Sequence, residues 1–101
     1  MEKRRPTYDL EAIKTALGSA ERLAITSSAL RDAVALGFDR ARVVQTIAGI
    51  ERRMFYKSMT TFADHRVWQD VYHVPARGVT IYVKIQADVV TEFTVMSFKE
   101  Q

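Results

Sequence analysis

Val79-Thr80-Ile81-Tyr82-Val83-Lys84-Ile85-Gln86 alternates without a break. In an extended chain, Val79, Ile81, Val83 and Ile85 point one way, and Thr80, Tyr82, Lys84 and Gln86 point the other. That period of two reads as a strand over 79–87 with one face against a core and one face free. Pro75-Ala76-Arg77-Gly78 precedes it and Asp88-Val89-Val90-Thr91 follows it. Both connections have lengths that suit antiparallel hairpins, so strands are expected at 67–74 and 92–99, with a fourth at 54–59. The strand at 67–74 alternates less cleanly. Val67, Gln69, Val71 and His73 share one face, and Trp68, Asp70, Tyr72 and Val74 share the other. The pattern alone does not say which of these faces meets the core.

Upstream of residue 50 the period changes to that of a helix. Leu10, Ile13, Ala16 and Leu17 recur at helical spacing, with Asp9 as N-cap and Gly18 as a stop. A second helix opens on Thr26 or Ser27, turns Ala29, Leu30, Ala33 and Val34 inward, and ends at Gly37. Asp39 caps a third, whose stripe is Val43, Val44, Ile47 and Ile50. Phe38 before that cap is placed to pack on Val43 as a hydrophobic staple. Helices in one half and strands in the other point to an α+β fold, with N-terminal helices packed on a C-terminal antiparallel sheet. At 101 residues the chain is expected to be a single domain.

Composition narrows the chemistry. There is no cysteine, which excludes disulfides, thiol nucleophiles and thiolate metal sites. The two histidines, His65 and His73, match no metal-binding spacing, so neither metal nor cofactor is expected. No apolar run is long enough to span a bilayer, and Met1-Glu2-Lys3-Arg4-Arg5-Pro6 lacks the apolar segment of a secretory signal. A cytoplasmic protein is expected. Its N-terminal cations read as a solvated, partly mobile end. The net charge of +3 permits a polyanionic partner without requiring one.

The stretch Phe55-Tyr56-Lys57-Ser58-Met59-Thr60-Thr61, continuing to Trp68-Gln69-Asp70-Val71-Tyr72, is too polar for a core strand and too aromatic for a loop. On the strand at 79–87, Tyr82 and Lys84 share the free face roughly 6–7 Å apart, a useful spacing for a phosphate and its sugar. A solvated β-face would carry the same residue types. If Lys57, Gln69 and Lys99 converge on that face, the site holds cations, a phenol and an amide, but no nucleophile–base couple. Acyl transfer through a triad is then ruled out. RNA transesterification is not, because its nucleophile is the substrate's own 2′-hydroxyl. The protein need only orient that group, stabilise the charged phosphorane and help protons move. Tyr56 is placed to stack on an unpaired base. His65, beside the turn-forming Asp64, is expected to pack locally, and Trp68 to belong to the core.

Phe55-Tyr56-Lys57-Ser58-Met59-Thr60-Thr61, Asp64-His65 and Trp68-Gln69-Asp70-Val71-Tyr72 closely resemble the MqsR toxins of bacterial toxin–antitoxin systems. Met1-Glu2-Lys3-Arg4, Tyr82-Val83-Lys84 and Ser97-Phe98-Lys99-Glu100 extend the likeness nearly end to end. The resemblance implies a RelE-like fold and metal-independent cutting of mRNA at GCU-like sites. It also implies neutralisation by an MqsA-like antitoxin, a zinc-containing helix-turn-helix protein through which DNA is contacted only indirectly. It puts the family's functional lysine, glutamine and tyrosine on Lys57, Gln69 and Tyr82. Tyr56, Met59, His73, Lys84 and Lys99 are then substrate-binding residues. His73 stands where the family often has arginine, so a permanent cation is exchanged for an imidazole that is ordinarily mostly neutral at pH 7. The rival readings are a non-catalytic nucleic-acid-binding module and an interaction protein that only holds a transcriptional repressor.

Overall fold

The computed structural model of the chain describes residues 1–88 and 92–101. Three helices precede four long strands: α1 Leu10–Ala16, α2 Ser27–Ala35, α3 Arg40–Ala48, β2 Phe55–Thr60, β3 Trp68–Ala76, β4 Val79–Asp88 and β5 Glu92–Glu100. The fold is α+β, with helices on one face of an antiparallel sheet, as the periodicities predict. A two-residue strand at the N-terminus, β1 Glu2–Lys3, was not anticipated. It pairs with β2 and completes a five-stranded sheet in the order β1-β2-β3-β4-β5. Of the N-terminal cations, Lys3 therefore lies in an anchored edge strand rather than a mobile end, and Arg4 and Arg5 follow it directly. No helix among the described residues is long and apolar enough to cross a membrane.

Each helix begins where its capping residue directs. Asp9, Thr26 and Asp39 accept from the backbone N–H groups of Ala12, Ala29 and Arg42, which satisfies donors that the first turn leaves unpaired. Ile13, Leu17, Ala33, Phe38, Val43, Ile47 and Ile50 are buried against Tyr72, Val74, Ile81, Val83, Ile85, Val95 and Phe98 of the sheet. Phe38 meets Phe98 edge-on at 5.3 Å between ring centroids. One expected inward residue is not inward: Val34 is 57% exposed. The stripe of α2 is narrower than the sequence suggested, because Ala29 and Ala33 alone are fully buried there.

The turn between β3 and β4 is shorter than expected. Strand pairing runs to Ala76↔Val79, leaving only Arg77 and Gly78 as the loop. Both have positive φ, 53° and 84°, the backbone that a tight two-residue hairpin requires. The expected connection at 88–91 falls largely outside the described residues.

β3 answers the question its sequence left open. Asp70, Tyr72 and Val74 face the helices, in register with Ile85, Val83 and Ile81. Asp70 has no exposure, and its carboxylate accepts from the backbone N–H of Thr7 at 3.1 and 2.9 Å and of Tyr8 at 2.9 Å. The hydroxyls of Thr7 and Ser58 lie 2.7 Å apart, and Ser58 is the register partner of Asp70. This buried polar cluster ties the N-terminal segment to the centre of the sheet.

Tyr72 is also fully buried, and its hydroxyl meets no hydrogen-bond partner among the described residues. Burial, with Asp70 adding, pushes its phenol up to about 12 from an ordinary 10.0. Below pH 10 both folded and unfolded chains keep this proton, so stability does not depend on it. Between about 10 and 12 the unfolded chain loses the proton while the folded chain keeps it, so stability falls as pH rises. Tyr72→Phe is expected to remove that alkaline slope. Because an unpartnered buried hydroxyl is lost, it should also stabilise the protein by about 1 kcal/mol at neutral pH. Urea midpoints at pH 7 and pH 10.5 measure both effects.

Candidate active site

With Asp70, Tyr72 and Val74 turned to the helices, Gln69, Val71 and His73 emerge on the opposite, open face of the sheet. The register places their neighbours. Gln69 lies opposite Met59 and Gln86, Val71 opposite Lys57 and Lys84, and His73 opposite Tyr82. On the next strand Lys99 lies opposite Tyr82, and Ser97 opposite Lys84. Lys57, Gln69 and Tyr82 thus share one face, together with Met59, His73, Lys84 and Lys99.

Tyr56 joins them through an irregularity. The β2–β3 register shifts between Phe55 and Lys57: Phe55 pairs with Tyr72 and Lys57 with Val71. Simple alternation would send Tyr56 and Lys57 to opposite faces. The extra residue instead leaves both on the open face, the usual effect of a bulge that re-aims a side chain. Phe55 packs edge-on against Tyr72 on the helix side, while Tyr56 stacks on His73 at 4.2 Å and 22°.

Rings and cations follow one another across four strands. Lys57 Nζ is 5.4 Å from the Tyr56 ring centre, and Tyr56 stacks on His73. His73 lies 6.0 Å from Tyr82, and Lys99 Nζ lies 5.5 Å from the Tyr82 ring on its other side. Val71 sits at the middle of this face with no exposure, outside the helix-side core cluster. The flanking stems of Lys57 and Lys84 are the side chains the register places beside it, an arrangement in which lysines cover apolar surface and keep their ammonium groups wet.

The electrostatics separate the three lysines. Lys57 forms an ion pair with Glu2 of β1, which holds the lysine above its ordinary range and the carboxyl below its own. Lys84 is lowered, first by burial and then by Lys99. Among the described residues no carboxylate pairs with Lys84 or Lys99. Two neighbouring cations with no counter-ion among the described residues suit an anion. Burial pushes the Tyr82 phenol up, Lys57 pulls it partly back and Tyr56 adds to the rise. The net direction is upward, so Tyr82 keeps its proton at neutral pH and is a hydrogen-bond donor rather than a base.

A profile of the family described as "Motility quorum-sensing regulator, toxin of MqsA" matches residues 5–100. The chain is also 42% identical over its full 101 residues to the mRNA interferase toxin MqsR of Escherichia coli (strain K12), covering 100% of both chains. The chain belongs to the MqsR toxin family. The resemblance read from Phe55–Tyr72 was therefore to the right family, and membership implies an antitoxin partner and an mRNA substrate.

Within this MqsR fold, Gln69 stands apart from the aromatic series. It is 8% exposed, and its Nε2 donates to Gln86 Oε1 at 2.9 Å. It lies four positions from His73, roughly 13 Å along the strand. The remaining sequence candidates lie elsewhere. His65 is exposed in the β2–β3 loop beside Phe62 and Met1. That loop is shaped by Thr61, whose hydroxyl bonds the backbone of Asp64, and by an Asp64–Arg66 ion pair. Trp68 is partly buried on the helix side under Lys3, whose Nζ lies 4.2 Å from its ring. Among the described residues, no three His, Asp or Glu side chains gather where they could share a metal ion.

Sequence reasoning missed Glu2, which sits 55 positions from Lys57 and is brought to it only by the unforeseen β1. It also placed Gln86 on the open face without pairing it to Gln69. The amide of one strand and the amide of the next were both visible, but the register joining them was not.

Proposed function

We propose that this chain is an mRNA interferase, the toxin of a type II toxin–antitoxin pair, acting in the cytoplasm as a single domain over 1–101. It cuts mRNA at GCU-like sites without a metal and is neutralised by an MqsA-like zinc-containing helix-turn-helix antitoxin, which supplies the link to DNA. The full-length likeness to a protein named mRNA interferase toxin supports the activity. The observation that carries the reading is the convergence of Lys57, Lys84 and Lys99 with Tyr56, His73 and Tyr82 on one open β-face.

In the proposed reaction the substrate's 2′-oxygen forms a bond to phosphorus and the P–O5′ bond breaks. The proton lost by the 2′-oxygen and the proton gained by the 5′-oxygen balance. The products are a 2′,3′-cyclic phosphate and a 5′-hydroxyl. Lys57 stabilises the charge that builds on the non-bridging oxygens, with Lys84 and Lys99 holding the neighbouring backbone. Tyr82, kept protonated by burial, donates to the reacting phosphate or orients the 2′-hydroxyl. Gln69 cannot titrate, and its role is to position substrate. Tyr56 and His73 give a stacked platform for an unpaired base, and Met59 an apolar contact beside Gln69.

A defined GCU-containing RNA incubated with the protein and excess chelator tests this. Cutting should persist, with cyclic phosphate and 5′-hydroxyl ends. Loss of cutting under chelator, or a 3′-hydroxyl product, would overturn the mechanism.

A further inference from the structure

The open face carries three successive rungs. Gln69 and Gln86 form the first, Lys57 and Lys84 flank Val71 in the second, and His73 and Tyr82 form the third with Tyr56 stacked on it. Neighbouring rungs on the same face are two residues apart, roughly 6–7 Å along the strand. That is about the reach from a backbone phosphate to the edge of an adjoining base. The lysine rung offers charge and the aromatic rung offers stacking. The amide rung offers a donor and an acceptor side by side, held by the hydrogen bond between the two amides.

The two amides satisfy each other once, through Gln69 Nε2 and Gln86 Oε1. An amide carries one acceptor oxygen and two N–H donors, so the pair keeps one carbonyl oxygen and one NH₂ group in hand. Among the described residues neither is taken by another protein group, and neither is sealed from solvent. Turning both amides over would again leave one carbonyl oxygen and one NH₂ group, with the two residues' roles exchanged. Gln69 is nearly buried, so its side chain is held before any ligand arrives and little rotamer entropy remains to be lost.

We propose that Gln86 is a specificity-determining residue. Together with Gln69 it reads the edge of the base next to the cleaved phosphate, the Gln69 carbonyl accepting from the base and the Gln86 NH₂ donating to it. The inference rests on the RNA-cleaving reading and deepens it by assigning the sequence readout to a pair of side chains. A donor and an acceptor side by side complement any base edge that presents an acceptor beside a donor, and reject one that presents two of either kind. Apolar Met59, opposite Gln69 in the register, lies against the same rung.

The test is a pool of RNAs randomised around one cleavage site, in which bound and cut sequences are both read for the parent, Gln86→Leu and Gln86→Glu. Gln86→Leu removes the second amide. Gln86→Glu still accepts from Gln69 Nε2 but exchanges the free donor for an acceptor, and it keeps the test open if the leucine variant folds poorly. The expected result is a loss of about 5- to 150-fold in discrimination at one base position for Gln86→Leu, the worth of one good bidentate contact. Gln86→Glu should shift the preferred base at that same position, with other positions unchanged. Identical rankings for all three proteins would overturn the proposal. So would a uniform loss of rate across all sequences, which would mean that Gln86 acts only by holding Gln69. If the parent binds the pool without cutting it, the RNA-cleaving reading fails, and the ranking of bound sequences still decides the role of Gln86.

Discussion

Lys57→Ala is expected to lower single-turnover cleavage of a defined RNA by about 10²–10³-fold, the usual cost of deleting one group that stabilises a developing oxyanion. Binding should suffer far less. Lys84 and Lys99 remain as cations on the same face, and losing one phosphate contact lowers the slope of log affinity against log salt by only about one. The unequal losses matter more than either number. A module that merely binds RNA would show no turnover in the parent, and the substitution would then alter affinity alone. Lys57→Arg is a useful companion. It keeps the charge but replaces a compact ammonium paired to Glu2 with a planar fork, so it should restore binding more fully than rate. Equal losses in binding and rate for Lys57→Ala would remove Lys57 from the chemical step.

Asp70→Ala should be strongly destabilising although it lies away from the open face, costing about 2–4 kcal/mol in urea denaturation. The carboxylate is fully buried and its partners are backbone N–H groups of Thr7 and Tyr8. Removing the charge relieves a desolvation cost, but three donor–acceptor contacts are lost and two backbone donors are left without their acceptor, and the second effect is the larger. For a chain of this size each kcal/mol moves the melting temperature by roughly 4–8 °C. Amide exchange should accelerate first at Thr7 and Tyr8 and then over the rest of residues 2–8, because Asp70 and Ser58 hold the end of that segment while β1 pairs its start to β2. The effect reaches the candidate site, since Glu2 meets Lys57 only while β1 is docked. A cost below about 1 kcal/mol would show that the N-terminal segment is held by other contacts.

These two residues mark how far the sequence could be read. β4 was legible because its alternation has no exception, and the family's residue pattern in Phe55–Tyr72 led to the MqsR toxins directly. The same stretch was only half understood as chemistry. Its excess polarity looked like a site, yet Ser58 and Asp70 point to the helix side and are consumed in anchoring Thr7 and Tyr8. Of that stretch, Tyr56, Lys57, Met59, Gln69 and Val71 lie on the open face, and His73 just beyond it joins them. Alternation could not foresee Tyr56 beside Lys57 there, since a bulge breaks the period by one residue and leaves no local signature. Nor could it foresee Glu2 beside Lys57, or Gln69 bonded to Gln86, because register between strands is a property of the assembled sheet. Val34 failed for the opposite reason. Helical spacing placed it beside a real stripe, but two alanines were enough to seat α2, and valine was left outside.

The central claim is that the open face promotes attack by the substrate's own 2′-hydroxyl. It is tested most directly with two RNAs identical except that one lacks the 2′-hydroxyl at the nucleotide 5′ to the cut. The intact RNA should be cleaved at that bond, and the 2′-deoxy RNA should bind with similar affinity and remain whole there. Cleavage of the 2′-deoxy RNA at the same bond would contradict the account.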